Sequence, residues 1–245
     1  MKATKIELNK NVNTEIFHID YEDIKDNKID ESIRIKCRNV FNNPGIVVVD
    51  NILEEEVLKN LQSSLSQKKR KFKSKFTDET KLNNEIISSK LKAARKISSF
   101  TSDLFGYKTP CKEFGLRNMI CSKEPMHYDS FFLEDGFTPL MSITNIDFDY
   151  RLWNVGYHFE ELLQKKQIEI EKLLKNDERN ISTSIKLREN RDLNLGKNIF
   201  HEISFAPNSI WFTNPKIVCH QLVYGGGILI NTWNLKNLPS KSQDA

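Results

Sequence analysis

Three side chains in this sequence are placed to hold a metal ion between them. His127 and Asp129 stand two apart in the segment Met126-His127-Tyr128-Asp129-Ser130. On extended backbone, residues two apart point the same way, so an imidazole and a carboxylate converge on one point. A second imidazole from elsewhere would complete a facial triad. His220, far along the chain in the apolar stretch 218–224, is the residue expected to supply it. Two histidines and one carboxylate on one face leave positions open for substrate and oxygen, the ligand set of non-haem Fe(II) chemistry. The remaining histidines compete for the same role. His201, beside Phe200 near the start of a strand, is the main rival to His220. His158 is expected either to cap the helix that follows it or to line the site. His18 sits in a polar N-terminal region and is expected to be exposed.

Distant residues meet only if a scaffold brings them together. Ile46-Val47-Val48-Val49 is a β-branched run that reads as a buried strand after the Pro44-Gly45 turn. Val57, Leu58, Leu61 and Leu65 recur at helical spacing, so a helix begins near Glu54. A second helix is expected over 85–105. Strands are expected within 17–21, 111–121 and 140–146, a helix over 159–175, and a loop over 176–198. The C-terminal part reads as short strands at 203–205, 209–213, 218–224 and 228–233. Asn208, Asn214-Pro215 and Gly225-Gly226-Gly227 punctuate them. Helices first and many short strands afterwards favour a mainly β jelly roll with helices packed outside it.

The chain has 245 residues, 38% hydrophobic and 29% charged, with a net charge of +4. That composition fits one globular unit, with an N-terminal extension (1–42), a core (43–235) and a polar tail (236–245). Cys37, Cys111, Cys121 and Cys219 form no C-x-x-C pair and no disulfide framework, which favours a reducing, cytoplasmic compartment. The segment from Met1 to Lys10 has no apolar core of a signal peptide, and no run of apolar residues is long enough to span a membrane. Lys68, Lys69, Arg70, Lys71, Lys73 and Lys75 concentrate positive charge, but no nucleic-acid-binding motif surrounds them. No nucleic-acid partner is therefore expected.

Two stretches carry a family resemblance. Asn145 is followed by Arg151-x-Trp153-x-x-Gly156-x-x-Phe159-Glu160, after the H-x-D segment. Phe205-Ala-Pro207-Asn-Ser209-Ile-Trp211 then leads to His220. Both resemble the Kdo (3-deoxy-D-manno-octulosonic acid) hydroxylase family, over roughly 114–235 of the chain. The resemblance implies a double-stranded β-helix (cupin-like jelly roll), Fe(II), the cosubstrate 2-oxoglutarate and O2. It implies hydroxylation of an unactivated C–H bond, and Asp129 as a carboxylate ligand favours hydroxylation over halogenation.

The cosubstrate's distal carboxylate needs a cation if it is buried. Many oxygenases of this fold place a basic residue shortly after the second histidine, but none occurs here between Gln221 and Leu235. Arg117, on an apolar stretch before H-x-D, is the first candidate and Arg151 the second, since arginine offers paired charge-assisted bonds. Asn145 and Thr213 are candidates to add hydrogen bonds. Trp153 and Trp211 are expected either to line the cavity or to pack in the core. A basic surface suits an anionic substrate, such as the Kdo sugar of a lipid A-type glycolipid met by peripheral contact at the inner face of a membrane. The alternatives are the same chemistry on a free amino acid or small metabolite, and a cupin-like binding protein without turnover.

Overall fold

The computed structural model describes residues 3–24, 29–65, 82–106, 113–117, 126–129, 137–162, 164–165 and 200–236. The polybasic segment, Cys111, Cys121, the loop 176–198 and most of the helix expected over 159–175 lie outside them. Among the described residues no helix is long and apolar enough to cross a membrane.

The chain opens with short strands β1 (Lys5–Glu7) and β2 (Ile16–Ile19), then a single turn α1 (Tyr21–Ile24). Helix α2 (Glu31–Asn42) follows, capped by the Asp30 carboxylate, which accepts from the backbone N–H of Ser32. Strand β3 (Ile46–Val49) and helix α3 (Glu55–Ser63) come next. Helix α4 (Asn84–Phe105) is capped by Asn83 and stopped by Gly106, whose φ of 73° suits a residue without Cβ. Strands β4 (Glu113–Arg117), β5 (Phe137–Asn145), β6 (Arg151–His158), β7 (His201–Phe205), β8 (Ile210–Thr213), β9 (Val218–Tyr224) and β10 (Ile228–Lys236) complete the order.

The strands form two sheets. One is four-stranded, in the order β1-β7-β6-β9, and the other six-stranded, β2-β3-β8-β5-β10-β4. Side chains alternate across each strand, and two cores result. Ile46, Val48, Ile143, Trp211 and Ile228 of the large sheet meet Trp153, Val155, Ile203, Phe205 and Leu222 of the small one. The opposite face of the large sheet, with Val47, Val49, Leu140, Phe212, Leu229 and Trp233, packs against the apolar stripes of α2, α3 and α4. The expected order of strands and external helices is thus present. Four elements have no expected counterpart: β1, the turn α1 (which takes Tyr21 from the strand expected within 17–21), helix α2 and strand β6. Helix α2 falls in a stretch that reads as charged and sparsely apolar. Its buried residues are Cys37, Val40 and Phe41. Strand β6 occupies the Arg-x-Trp block, which has no strand reading in the sequence.

His18 is not exposed. Its Nε2 lies 2.9 Å from Asp50 Oδ2, and Asp50 also accepts the Thr4 N–H at 2.8 Å and hydroxyl at 2.6 Å. The Asp50 bond raises the His18 pKa against the opposing effect of burial. For Asp50, burial opposes ionisation, but the bonds from His18 and Thr4 outweigh it and hold the carboxyl below its ordinary range. The raised His18 contributes stability below pH 6.5, its ordinary value, which is lost as pH rises through the folded pKa. The lowered Asp50 contributes above pH 3.8, and that is lost as pH falls. Asp50→Asn is therefore expected to cost about 1–3 kcal/mol. It should also flatten the fall of melting temperature above pH 6.5 that the raised His18 pKa predicts for the wild type. Thermal melts from pH 6 to 8.5 of both proteins check this, and parallel curves would contradict it.

Candidate metal centre

Met126 to Asp129 runs as an extended segment beside β9. His127 donates its N–H to the His220 carbonyl at 2.9 Å, and His220 donates to the His127 carbonyl at 2.8 Å. This antiparallel bridge puts both side chains on the same face. Their ring centroids are 4.6 Å apart. Met126 and Tyr128 point the other way, into a small apolar cluster with Leu162 and Cys219. The Tyr128 hydroxyl donates to the Tyr157 carbonyl at 2.9 Å, which fastens the segment to β6. Asp129 donates its N–H to the Pro215 carbonyl at 2.8 Å, so the turn before β9 fixes its backbone.

The three ligand atoms converge. Asp129 Oδ1 lies 3.6 Å from His127 Nε2 and 3.8 Å from His220 Nε2. Two metal–ligand bonds of ~2.1 Å span at most ~4.2 Å, so one ion can join Asp129 to either ring. All three atoms lie within 4.8 Å of one another, the only such trio of His, Cys, Asp or Glu among the described residues. His220 Nδ1–H donates to the Val218 carbonyl at 3.0 Å. That bond fixes the tautomer and leaves the Nε2 lone pair for a metal. A nitrogen, nitrogen, carboxylate-oxygen set with an open side fits Fe(II).

His201 is excluded as a ligand. Its Nδ1 accepts the Asn9 N–H at 2.9 Å and its Nε2–H donates to the Thr14 carbonyl at 2.8 Å. Burial pushes this ring below the ordinary imidazole range, against the Thr14 bond and Glu161. It pins the N-terminal segment onto the small sheet. His158 caps the turn after β6, its Nδ1 accepting the Glu161 N–H at 3.2 Å.

Asn145 does not fit a cosubstrate role. Its amide N–H groups donate to the carbonyls of Asp149, Phe205 and Ala206 at 3.0–3.2 Å, and its oxygen accepts the Asp147 N–H. The side chain is spent on backbone and braces two loops. Arg151 is buried at β6 and donates to the Gly226 carbonyl at 3.3 Å. A Cβ on Gly225, where φ is 142°, would come within 2.6 Å of Arg151 Cγ. The arginine therefore supports the glycine turn. Thr213 is buried at the end of β8, with its hydroxyl unpartnered among the described residues. Trp153 Nε1 and Trp211 Nε1, both in the core between the sheets, are also unpartnered. Arg117 closes β4 opposite Ile228. Ile228 belongs to that same inter-sheet core.

Gly156 emerges from the structure as a site residue. A Cβ there would lie 2.9 Å from Met126 Sδ and 3.6 Å from Cys219 Cβ. A side chain there would press on Met126, the residue before His127, so the glycine lets the metal-binding segment pack closely on β6. Gly156→Val is expected to cost about 1–3 kcal/mol of overpacking and to weaken metal binding by displacing His127. Thermal melts and Co(II) titration check this, and unchanged Co(II) affinity would contradict it.

No protein-family model matches the sequence, and no curated protein matches it by sequence. Solved structures do match. The Kdo hydroxylase KdoO, a non-heme Fe(II) alphaketoglutarate dependent dioxygenase in complex with succinate and Fe(III), superposes with a TM-score of 0.65 at 18% identity. The match covers 90% of this chain and 89% of that one. The same enzyme in complex with alphaketoglutarate and Fe(III) gives 0.64 at 18% identity, with the same coverage. The epimerase SnoN in complex with Fe3+, alpha ketoglutarate and nogalamycin RO gives 0.51 at 9% identity, over 88% of this chain and 93% of that one. The fold is the double-stranded β-helix. Within this double-stranded β-helix, the ligand trio sits where the extended segment 126–129 joins β9 at the edge of the small sheet.

Proposed function

We propose that this protein is a non-haem Fe(II), 2-oxoglutarate-dependent oxygenase that hydroxylates a polar substrate. The observation that carries this is the convergence of His127 Nε2, Asp129 Oδ1 and His220 Nε2, with His220 Nδ1 already committed to Val218. His127, Asp129 and His220 would hold the metal. When bound, iron with 2-oxoglutarate and O2 supplies the oxidising chemistry, and the protein orients the reactants and excludes water. The core between the sheets suits a polar cosubstrate, because the Thr213 hydroxyl and the indole N–H groups of Trp153 and Trp211 are buried there without partners among the described residues. Native proteins seldom leave such groups unmet. Arg117 would pair with the distal carboxylate.

The proposed substrate is the Kdo sugar of a lipid A-type glycolipid, met at the inner face of a membrane. KdoO is described as a Kdo hydroxylase, and the Arg151-x-Trp153-x-x-Gly156 block resembles that family. The net charge of +4 suits an acidic substrate. Anaerobically purified protein would be given Fe(II), 2-oxoglutarate and O2, and succinate followed with and without a Kdo-lipid acceptor. Acceptor-stimulated succinate supports the glycolipid. Slow, unstimulated succinate keeps the enzyme class and directs attention to amino acids and small metabolites. No metal binding and no succinate would leave a cupin-like binding protein.

A further inference from the structure

We infer that Trp153 is a positioning residue for the metal centre, acting through His220; the inference rests on the proposed metal site. Its indole lies almost parallel to the His220 imidazole, with centroids 4.9 Å apart and planes inclined by 13°. Strand pairing explains the contact. On β6, Val155 stands opposite His220 and Trp153 opposite Leu222. Trp153 and Val155 share the inward face, so the indole reaches diagonally across the ladder to the imidazole.

The indole is itself held. Trp211 meets it edge-on at 5.2 Å and 74°, and Phe205 at 5.9 Å and 83°. Phe205 and Trp211 stack on each other at 3.8 Å and 11°. Trp153 is only 3% exposed. The stack thus couples a rigid aromatic block, drawn from both sheets, to one face of His220.

Two restraints then act on that imidazole. The Nδ1–H bond to Val218 fixes the edge of the ring. The indole fixes its plane. Together they remove the side-chain rotation that would swing Nε2 away from the point shared with His127 and Asp129. A metal binding to such a ring loses little further rotational freedom, and ring orientation is set before the ion arrives. Core packing alone would account for the burial of Trp153. It would not require a parallel ring on the ligand histidine.

The test uses Co(II), whose visible absorption reports ligand geometry independently of turnover. Apo-protein would be titrated with Co(II) for the wild type, Trp153→Leu, Trp153→Phe and Trp233→Phe. Trp233 lies in the other core, against the helices. Trp153→Leu is expected to bind Co(II) ~10-fold more weakly, with altered visible bands. Trp153→Phe keeps a ring on the imidazole and should stay within ~3-fold of the wild type. Trp233→Phe should leave the bands unchanged. Tryptophan fluorescence gives a second readout that survives if Trp153→Leu fails to fold. Co(II) should quench wild-type and Trp233→Phe emission strongly and Trp153→Phe emission less, where Trp211 alone remains beside the site. A Trp153→Leu protein with wild-type affinity and bands, or equal quenching in Trp153→Phe and wild type, overturns the role of Trp153 while leaving the metal site standing. A wild type that binds no Co(II) overturns both.

Discussion

Asp129→Ala is expected to weaken Fe(II) or Co(II) binding by more than ~100-fold, the upper range for mere supporting residues, and to abolish succinate formation from 2-oxoglutarate. The fold should survive. Asp129 is held by its backbone N–H on the Pro215 carbonyl, a bond that alanine keeps. Its carboxylate is 42% exposed, so removing it leaves no buried hole. The substitution takes away the charged donor that stands 3.6 and 3.8 Å from the two imidazole nitrogens. Two neutral imidazoles then face a divalent cation alone. Co(II) titration and a thermal melt on the same sample separate the effects. Near-wild-type affinity in Asp129→Ala would remove the carboxylate from the ligand set and with it the oxygenase reading. Loss of affinity together with a collapsed melt would show instead that Asp129 acts through stability.

Much of this centre can be read in the sequence because its chemistry is local. His127 and Asp129 need only two-residue spacing on extended backbone. The runs 46–49, 209–213 and 218–224 read as strands because their apolar residues are consecutive or nearly so. Long-range partners are not readable in this way. His18 looks exposed because Asp50, which half-covers it and raises its pKa, is 32 residues away. His201 looks like a ligand because its partners Asn9 and Thr14 come from the far end of the chain, 192 and 187 residues distant. Asn145 has the right chemistry for a carboxylate, yet loops some 60 residues later consume its amide. Strand β6 is masked by Arg151 and Asn154, polar residues that are nevertheless buried. Each donates to a distant partner, Arg151 to the Gly226 carbonyl and Asn154 to the Gln221 side-chain oxygen. Helix α2 is hidden by its charge, although Cys37, Val40 and Phe41 recur at helical spacing.

On the proposed pairing with the distal carboxylate, Arg117→Ala is expected to weaken 2-oxoglutarate binding to the Co(II)-loaded protein by at least ~100-fold, because it removes two charge-assisted hydrogen bonds worth about 1.5–3 kcal/mol each. Two observations motivate this. Arg151, the other arginine considered for the role, is engaged with the Gly226 carbonyl and packs on Gly225. The stretch from Gln221 to Leu235 offers no cation. Arg117 ends β4, and its backbone pairs with Ile228 at the start of β10. Ile228 lies in the core between the sheets, where the Thr213 hydroxyl is unmet among the described residues. Arg117→Lys keeps the charge but loses the planar fork, so an intermediate loss of ~10-fold is expected. Calorimetric titration with 2-oxoglutarate distinguishes the three proteins, and Co(II) affinity should be the same in all. If Arg117→Ala binds 2-oxoglutarate as the wild type does, the distal carboxylate is held elsewhere. If Co(II) binding falls in parallel, Arg117 supports the strand that carries it and not the cosubstrate. A selective loss of 2-oxoglutarate affinity, graded from lysine to alanine, is the pattern that only a carboxylate-binding arginine produces.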